Sequence, residues 1–498
     1  MTYREYFRTF NENDNEEVIQ YVPNSEAEKF LYENAPRLYC PDGIIENTFA
    51  FRTWTMRKHI KSTEDGFLLS EFLVNSPLPW AGKHNTINAA LTHHLNEFRW
   101  LKCSDMLLDY ISFFLSGEGS AERSGSAFAY HTPALTAICN FCLLTDNEDF
   151  LIKNLPSMEK YFSVWEERHL TENGLYWSID DREGTEFTIS GTTDNLEMLK
   201  GFRPLMNSCM YADAISLSKL FLKVGDGEKA KYYSDKAASI KYNMDKKMWD
   251  GDFYKAIHPL DQELDKELSF ADIPDGQDVR ELMGYIPLAF GMSDKEKTAC
   301  LKYLKDESIF LAKTGFTTAD ISHKRFLYYD GPCTWCGNVW PYATSYAINA
   351  VITTLNDYGQ DDLTNEDLYS YIKKYAEMHY STENGKRINF IDEVMLPYDH
   401  VWYARLKRKD RPDPNRGRDY NHSTFIDLVL RGLVGIDPSA EALTVSPRIK
   451  GIWKWFRIEN LTFKKSTYTV YYDEDGSVFG KGAGVVIEKE NQAAITEQ

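Results

Sequence analysis

The sequence predicts a mainly α protein, a toroid of paired helices closed by a small C-terminal antiparallel β unit, and three observations carry that reading. Apolar residues recur at helical spacing in a long series of segments from Thr86 onward, and the segments fall in pairs. The connections at one end of the pairs are longer and rich in aromatic residues, as in a rigid scaffold that carries function on one rim. After about Gly435 the pattern switches to the alternation of strands.

Taken in order, residues 1–50 are mixed and polar, with an acidic and amide run at 11–17 and a Cys-Pro-Asp-Gly turn at 40–43. They are expected to form an N-terminal segment packed on the barrel. Between Phe51 and Phe72 the periodicity is ambiguous, although Asp65-Gly66 before Phe67-Leu68-Leu69 reads as a turn into an extended segment. Helical patterning then pairs Thr86–Arg99 with Ser104–Leu115, Pro133–Leu144 with Asp149–Arg168, and Asn207–Val224 with Glu228–Trp249. Arg280–Ala289 with Asp294–Tyr303 and Pro341–Leu355 with Glu366–Met378 continue the series, which Thr424–Leu433 ends. That gives roughly ten to twelve helices in a barrel domain of residues 51–436. Residues 437–498 form the β unit, with strand patterns at 442–445, 456–463, 467–472 and 484–488 and a hairpin-type turn at 473–476.

Composition narrows the function. Hydrophobic residues make up 43% of 498, enough for a large core, and the 14% aromatic content suits a lined cleft. A net charge of −19 repels phosphate backbones and anionic lipid heads, so neither nucleic acid nor a membrane surface is an expected partner. A neutral, oligosaccharide-like or small glycoside ligand fits better, and the oligomeric state is left open. No apolar signal core opens the chain and no stretch reaches the length of a membrane span, so a cytoplasmic protein is expected, or a periplasmic or secreted one if a leader has been removed. Two Cys-x-x-Cys pairs, Cys139/Cys142 and Cys333/Cys336, invite a zinc or redox reading. The first lies on the core face of an apolar helix and the second lacks a thioredoxin context, so both are read as buried or incidental thiols. No metal and no cofactor is expected.

The most informative stretch runs from Asn389 to Phe425. Asp392 and Glu393 stand between the apolar Ile391 and Val394, and Tyr420-Asn421-His422-Ser423 lie directly before an apolar helical run. Carboxylates with such neighbours are not a solvated face, and polar residues massed at the start of a core helix belong at a cleft. Hydrolysis of a glycosidic bond by inversion needs one carboxyl protonated and a second ionised. Glu186 and Glu393 are the expected pair, because Phe187 and Ile189 can dry Glu186 and raise its pKa. The bland alternative makes Glu186 one more acid in a loop holding Asp180, Asp181 and Glu183. Trp54, Trp80, Trp335 and Trp340 are candidates for stacking on sugar faces, with core packing as the alternative. Arg52, Lys83, Asn85, Arg203, Asn207, Tyr420, Asn421 and His422 are candidates for holding hydroxyls or an acidic aglycone, against surface ion pairs and helix capping. The basic run 405–418 reads as a solvated loop or a lid.

These motifs resemble the inverting α/α-barrel glycosidases, the group of family 63 glucosidases, family 37 trehalases and mannosylglycerate-hydrolase-like proteins. Gly331-Pro332-Cys333-Thr334-Trp335 resembles the family's Gly-Pro-x-Trp loop entering a barrel helix, and Arg203 to Asp213 resembles the helix after the general-acid loop. Gly184-Thr185-Glu186-Phe187-Thr188 occupies the place where trehalases carry an Asp acid, so Glu replaces Asp here. Glu393 matches the general base by position, within an Ile-Asp-Glu-Val setting that differs from the Glu-Asn-Tyr of close relatives. The resemblance implies a six-hairpin (α/α)6 toroid that removes a terminal sugar by inversion. A polysaccharide lyase or epimerase working through Tyr420 or His422, and a silent carbohydrate-binding toroid, are the rivals on the same scaffold.

Overall fold

The computed structural model describes residues 1–116 and 129–490. It is a helical toroid, and the helices that frame it are α3 (Gly43–Lys58), α4 (Leu91–Phe98), α5 (Leu107–Leu115), α6 (Ala134–Leu144), α7 (Glu148–His169), α8 (Pro204–Lys223), α9 (Gly227–Lys247), α10 (Ile286–Ala289), α11 (Pro341–Asp357), α12 (Asn365–Met378) and α14 (Phe425–Leu428). Two further helices, α1 (Tyr3–Glu12) and α2 (Asn24–Asn34), precede them, and a short α13 spans Tyr403–Arg408. Most expected helices form within a few residues of their expected ends. Four differ. Lys295–Lys305 winds as a 3₁₀ helix, residues 429–433 continue α14 as a π-turn, the helix expected from Thr86 begins only at Leu91 after a short 3₁₀ turn, and the helix expected over Arg280–Ala289 reduces to Ile286–Ala289 after a 3₁₀ turn at Leu282–Tyr285.

The N-terminal fifty residues are more regular than their polarity suggests. Thr2 caps α1 with a capping box, and Tyr3, Tyr6, Phe7 and Phe10 fall on one buried stripe. Asp42 accepts from the Ile44 and Ile45 amides to start α3, whose residues Thr48 to Lys58 are buried on every side. A helix buried all round has no amphipathic stripe, which is why its pattern is ambiguous in sequence. The Asp65-Gly66 turn joins β2 (Ile60–Thr63) to β3 (Gly66–Leu69) as expected, and a second small hairpin pairs β6 (Tyr380–Glu383) with β7 (Lys386–Asn389).

The C-terminal sheet runs β1-β8-β9-β10, with β8 (Trp455–Phe463), β9 (Ser466–Asp473) and β10 (Gly484–Lys489) joined by the N-terminal β1 (Arg37–Tyr39) in antiparallel register, Leu38 opposite Ile458. The strand expected at 442–445 reduces to one bridge, Val445 to Ile436. The remaining short hairpin, β4 (Trp177–Ser178) with β5 (Gly201–Phe202), flanks the loop that carries Glu186. Pro204 and Pro341 sit in the first turns of α8 and α11, where a missing amide costs no helical bond, and so mark where the rim loops end.

Candidate active site

Loops that lead into α4, α6, α8, α11 and α14 converge on one cavity of about 280 Å³. Its wall carries Glu71, Phe72, Trp80, Tyr130, Asp181, Glu186, Cys333, Trp340, Tyr342, Glu393, Arg416, Tyr420 and His422. The two glutamates singled out in the sequence, about two hundred residues apart, therefore face the same space.

Their surroundings differ. Glu186 keeps part of its surface open to the cavity and is otherwise enclosed by protein; this desolvation raises its pKa from 4.5 to about 7, only partly offset by a hydrogen bond from the Cys333 thiol. The thiol donates to Glu186 Oε2 at 3.2 Å, and the Trp335 amide donates to the Glu186 carbonyl at 3.0 Å. Phe187 takes a left-handed conformation (φ 62°), an unusual state for a bulky residue, and its ring packs on Tyr329 at 4.1 Å. Behind this loop, buried Arg203 donates to Asp180 and Glu183 at 2.7 Å each, and to Thr185 at 3.2 Å. Asp180 in turn accepts from the Thr188 amide and the Thr192 hydroxyl. Arg203 is thus a bracket for the acid loop rather than a wall residue.

Glu393 is paired. The fully buried Arg408 guanidinium donates to Glu393 Oε2 through Nη2, and its Nη1 lies 3.9 Å from Asp392 Oδ1. Burial outweighs that cation at Asp392, whose pKa rises to about 6. The solvated-loop reading of 405–418 is corrected here. Arg408 is enclosed because it faces two buried carboxyls, and Arg416 lies over the rings of Trp80 at 4.5 Å and Phe72 at 5.4 Å.

The other candidates divide. Trp80, Trp340, Tyr420 and His422 line the cavity. Trp335 is buried behind Trp340 and stacks on it, ring centroids 4.5 Å apart, so it backs the wall. Tyr420 Oη meets His422 Nδ1 at 2.9 Å, and buried His422 Nε2 has no partner among the described residues, which leaves a polar atom for a ligand. Burial keeps His422 neutral, its pKa well below the usual range. Arg52 and Asn421 bond each other beneath the floor, Arg52 also reaching the Tyr420 carbonyl at 2.9 Å. Trp54 packs on Phe51 and Phe10 and donates to Asn11, within the core. Asn207 braces the Tyr176 backbone, Asn85 ties Leu78 and Ser76, and exposed Lys83 pairs with Asp65 beside Glu64 and His84. None of these last six lines the cavity.

Among the acids of the wall, Glu71 escapes the sequence reading, as do the rings of Phe72, Tyr130 and Tyr342. Glu71 is buried, accepts from Trp80 Nε1 at 3.0 Å, and has its pKa raised to about 8 by burial. Its setting, Ser70-Glu71-Phe72-Leu73 within an apolar run, carries the same signal that marks Glu393.

A family model described as "Mannosylglycerate hydrolase MGH1-like glycoside hydrolase domain" matches residues 83–423. A solved structure described as "Sialidase" is 28% identical with a TM-score of 0.86, covering 98% of this chain and 43% of that one. A GH63 mannosylglycerate hydrolase from Thermus thermophilus in complex with glucose shares the fold, with a TM-score of 0.51 at 11% identity over 76% of this chain and 99% of that one. An uncharacterized protein of Borreliella burgdorferi is 23% identical over 346 residues, 66% of this chain and 63% of its own length. The chain thus spans less than two thirds of the Borreliella relative and under half of the sialidase structure. Among the described residues no helix is long and apolar enough to cross a membrane.

Proposed function

The chain belongs to the mannosylglycerate hydrolase MGH1-like glycoside hydrolases, and on that premise we propose that it removes a terminal sugar from an oligosaccharide or small glycoside by inversion. The observation that carries this reading is geometric: Glu186 and Glu393 line one cavity in different surroundings, Glu393 against a buried guanidinium and Glu186 against a thiol. Glu186, desolvated and with no cation among the described residues at its carboxyl, holds a proton near neutral pH, as a general acid must. Glu393 accepts from the buried Arg408 guanidinium, a cation of the kind that favours the carboxylate a general base needs.

In the proposed reaction Glu186 gives its proton to the glycosidic oxygen as the bond to the anomeric carbon breaks. Glu393 takes a proton from a water that attacks that carbon from the opposite face, so the product is the opposite anomer. Afterwards Glu186 is ionised and Glu393 protonated, and exchange with solvent resets both. The cavity, about 280 Å³, lies at the small end of ligand pockets, which supports one terminal ring rather than an internal stretch of polymer. Trp80 and Trp340 supply aromatic walls, and His422 and Tyr420 supply polar atoms for hydroxyls. Family membership favours hydrolysis over the lyase and epimerase readings.

Leaving-group dependence tests the acid. On an alkyl glycoside that the wild type turns over, Glu186→Gln is expected to lower kcat/KM by ~10²–10⁴-fold. On the matching dinitrophenyl glycoside, whose leaving group departs without a proton, the loss should be small. Equal losses on both would remove Glu186 from the acid role.

A further inference from the structure

The loop that faces Glu186 brings a cysteine to a place where the chemistry makes a hydroxyl the more obvious donor. Cys333 lines the cavity and its Sγ lies 3.2 Å from Glu186 Oε2, while two residues on the Trp335 amide binds the Glu186 carbonyl. Residue 186 is therefore gripped by the 331–341 loop twice, once through its backbone and once through its carboxyl. We propose that Cys333 is a positioning residue for the acid: its thiol, 3.2 Å from Oε2, aims the Glu186 carboxyl into the cavity. The inference rests on the reading of Glu186 as general acid.

A thiol suits that task because it is a weak donor. A serine hydroxyl or a lysine at this spot would donate strongly to the carboxylate, favour the ionised form and lower the acid's pKa. A methyl group would leave the carboxyl without that anchor. The thiol takes the middle course. Its own ionisation does not compete, since burial and the neighbouring Glu186 both push Cys333 well above the ordinary thiol range. Cys336, three residues on, points its thiol at the Tyr329 carbonyl at 3.7 Å. The pair is thus arranged neither as a redox couple nor as metal ligands.

The test compares wild type, Cys333→Ser, Cys333→Ala and Glu186→Gln by two readouts. The first is infrared titration of the protonated-carboxyl band that Glu186→Gln removes. In wild type this band should titrate near pH 7; in Cys333→Ser it should move down by roughly one pH unit or less, and in Cys333→Ala it should move up. The second is the pH profile of kcat on the alkyl glycoside used above. Its basic limb should follow the same order, Cys333→Ala should lose about tenfold in kcat with KM nearly unchanged, and Cys333→Ser should recover most of it at about pH 5.5. A band that titrates at one pH in all three cysteine forms, or full kcat in Cys333→Ala, overturns the positioning role. Full turnover of the alkyl glycoside by Glu186→Gln is a separate outcome: it removes the acid reading on which the inference stands.

Discussion

Replacing Arg408 by methionine probes the half of the site that depends on charge. The side chain is fully enclosed, touches Glu393 Oε2 and lies 3.9 Å from Asp392. Methionine matches much of its volume and carries no charge. A unit charge pair at about 4 Å interacts by ~4 kcal/mol at an effective dielectric of 20, so losing the cation disfavours ionisation of the carboxyl it touches. Two adjacent buried carboxyls that lose the cation in contact with them oppose each other's ionisation, with only the Arg405 and Arg416 charges left to offset this at Asp392, so Glu393 should become a poorer base. The acid limb of kcat/KM should therefore move to higher pH, and activity at pH 6 should fall by ~10-fold or more. Stability should fall too, by ~3–5 kcal/mol at pH 8, and by less at pH 5 where Asp392 takes up a proton. Arg408→Lys keeps the charge without the planar fork and should retain the limb while losing rate. The assays are a pH profile on any glycoside the wild type cleaves and urea melts at pH 5 and 8. An unmoved acid limb in a folded Arg408→Met protein refutes the claim that this cation sets the charge of Glu393.

Three further outcomes follow from other buried charges. Glu71, Glu97, Asp213 and Glu186 have pKa values raised to about 7–8, so the fold keeps protons that the unfolded chain releases and stability falls as pH rises toward 8. Buried His59, His93, His169, His258 and His379 have pKa values lowered from 6.5 to about 3–4, so stability also falls as pH drops below 6.5. The melting temperature should accordingly peak near pH 6–6.5; a plateau from 5 to 9 would contradict these directions. Glu71→Gln keeps an acceptor for Trp80 and removes the cost of burying an acid that the unfolded chain ionises, so it should stabilise by up to ~5 kcal/mol at pH 9, by ~2 kcal/mol at pH 6 and by little near pH 4; a shift that does not grow with pH would contradict the raised pKa of Glu71. Arg203→Met leaves Asp180 and Glu183 buried without their cation and should cost ~3–5 kcal/mol in urea melts, with kcat falling as the acid loop loosens.

What can be read from sequence depends on whether the signal is local. The barrel helices repeat an apolar stripe every few residues, so each announces itself within a short window. Helix α3 does not, because a helix enclosed on all sides carries no polar face to mark its period. Strand β1 is three residues long and pairs with Glu459, Ile458 and Arg457, some four hundred residues away, so nothing near it signals a sheet. At the site, Glu186 and Glu393 stand out as acids among apolar neighbours, and Glu71 carries the same mark in an extended run that is ambiguous as a whole. Arg408 is illegible for the opposite reason. It stands among Arg405, Lys407 and Lys409, whose charges read as a solvated face, and only the folded chain turns it inward onto two carboxyls. Tryptophans are candidates by type alone; Trp80 and Trp340 reach the cavity whereas Trp54, on a buried helix, packs in the core.

Glu186 and Glu393 are proposed to act across one cavity, the first as acid on the glycosidic oxygen and the second as base on an attacking water. Proton NMR of the first sugar released from a substrate of defined anomeric configuration tests this most directly, read before mutarotation mixes the anomers. The inverted anomer is expected; release of the anomer with retained configuration would mean a carboxylate attacks the sugar itself, and would contradict the acid–base pairing of Glu186 and Glu393.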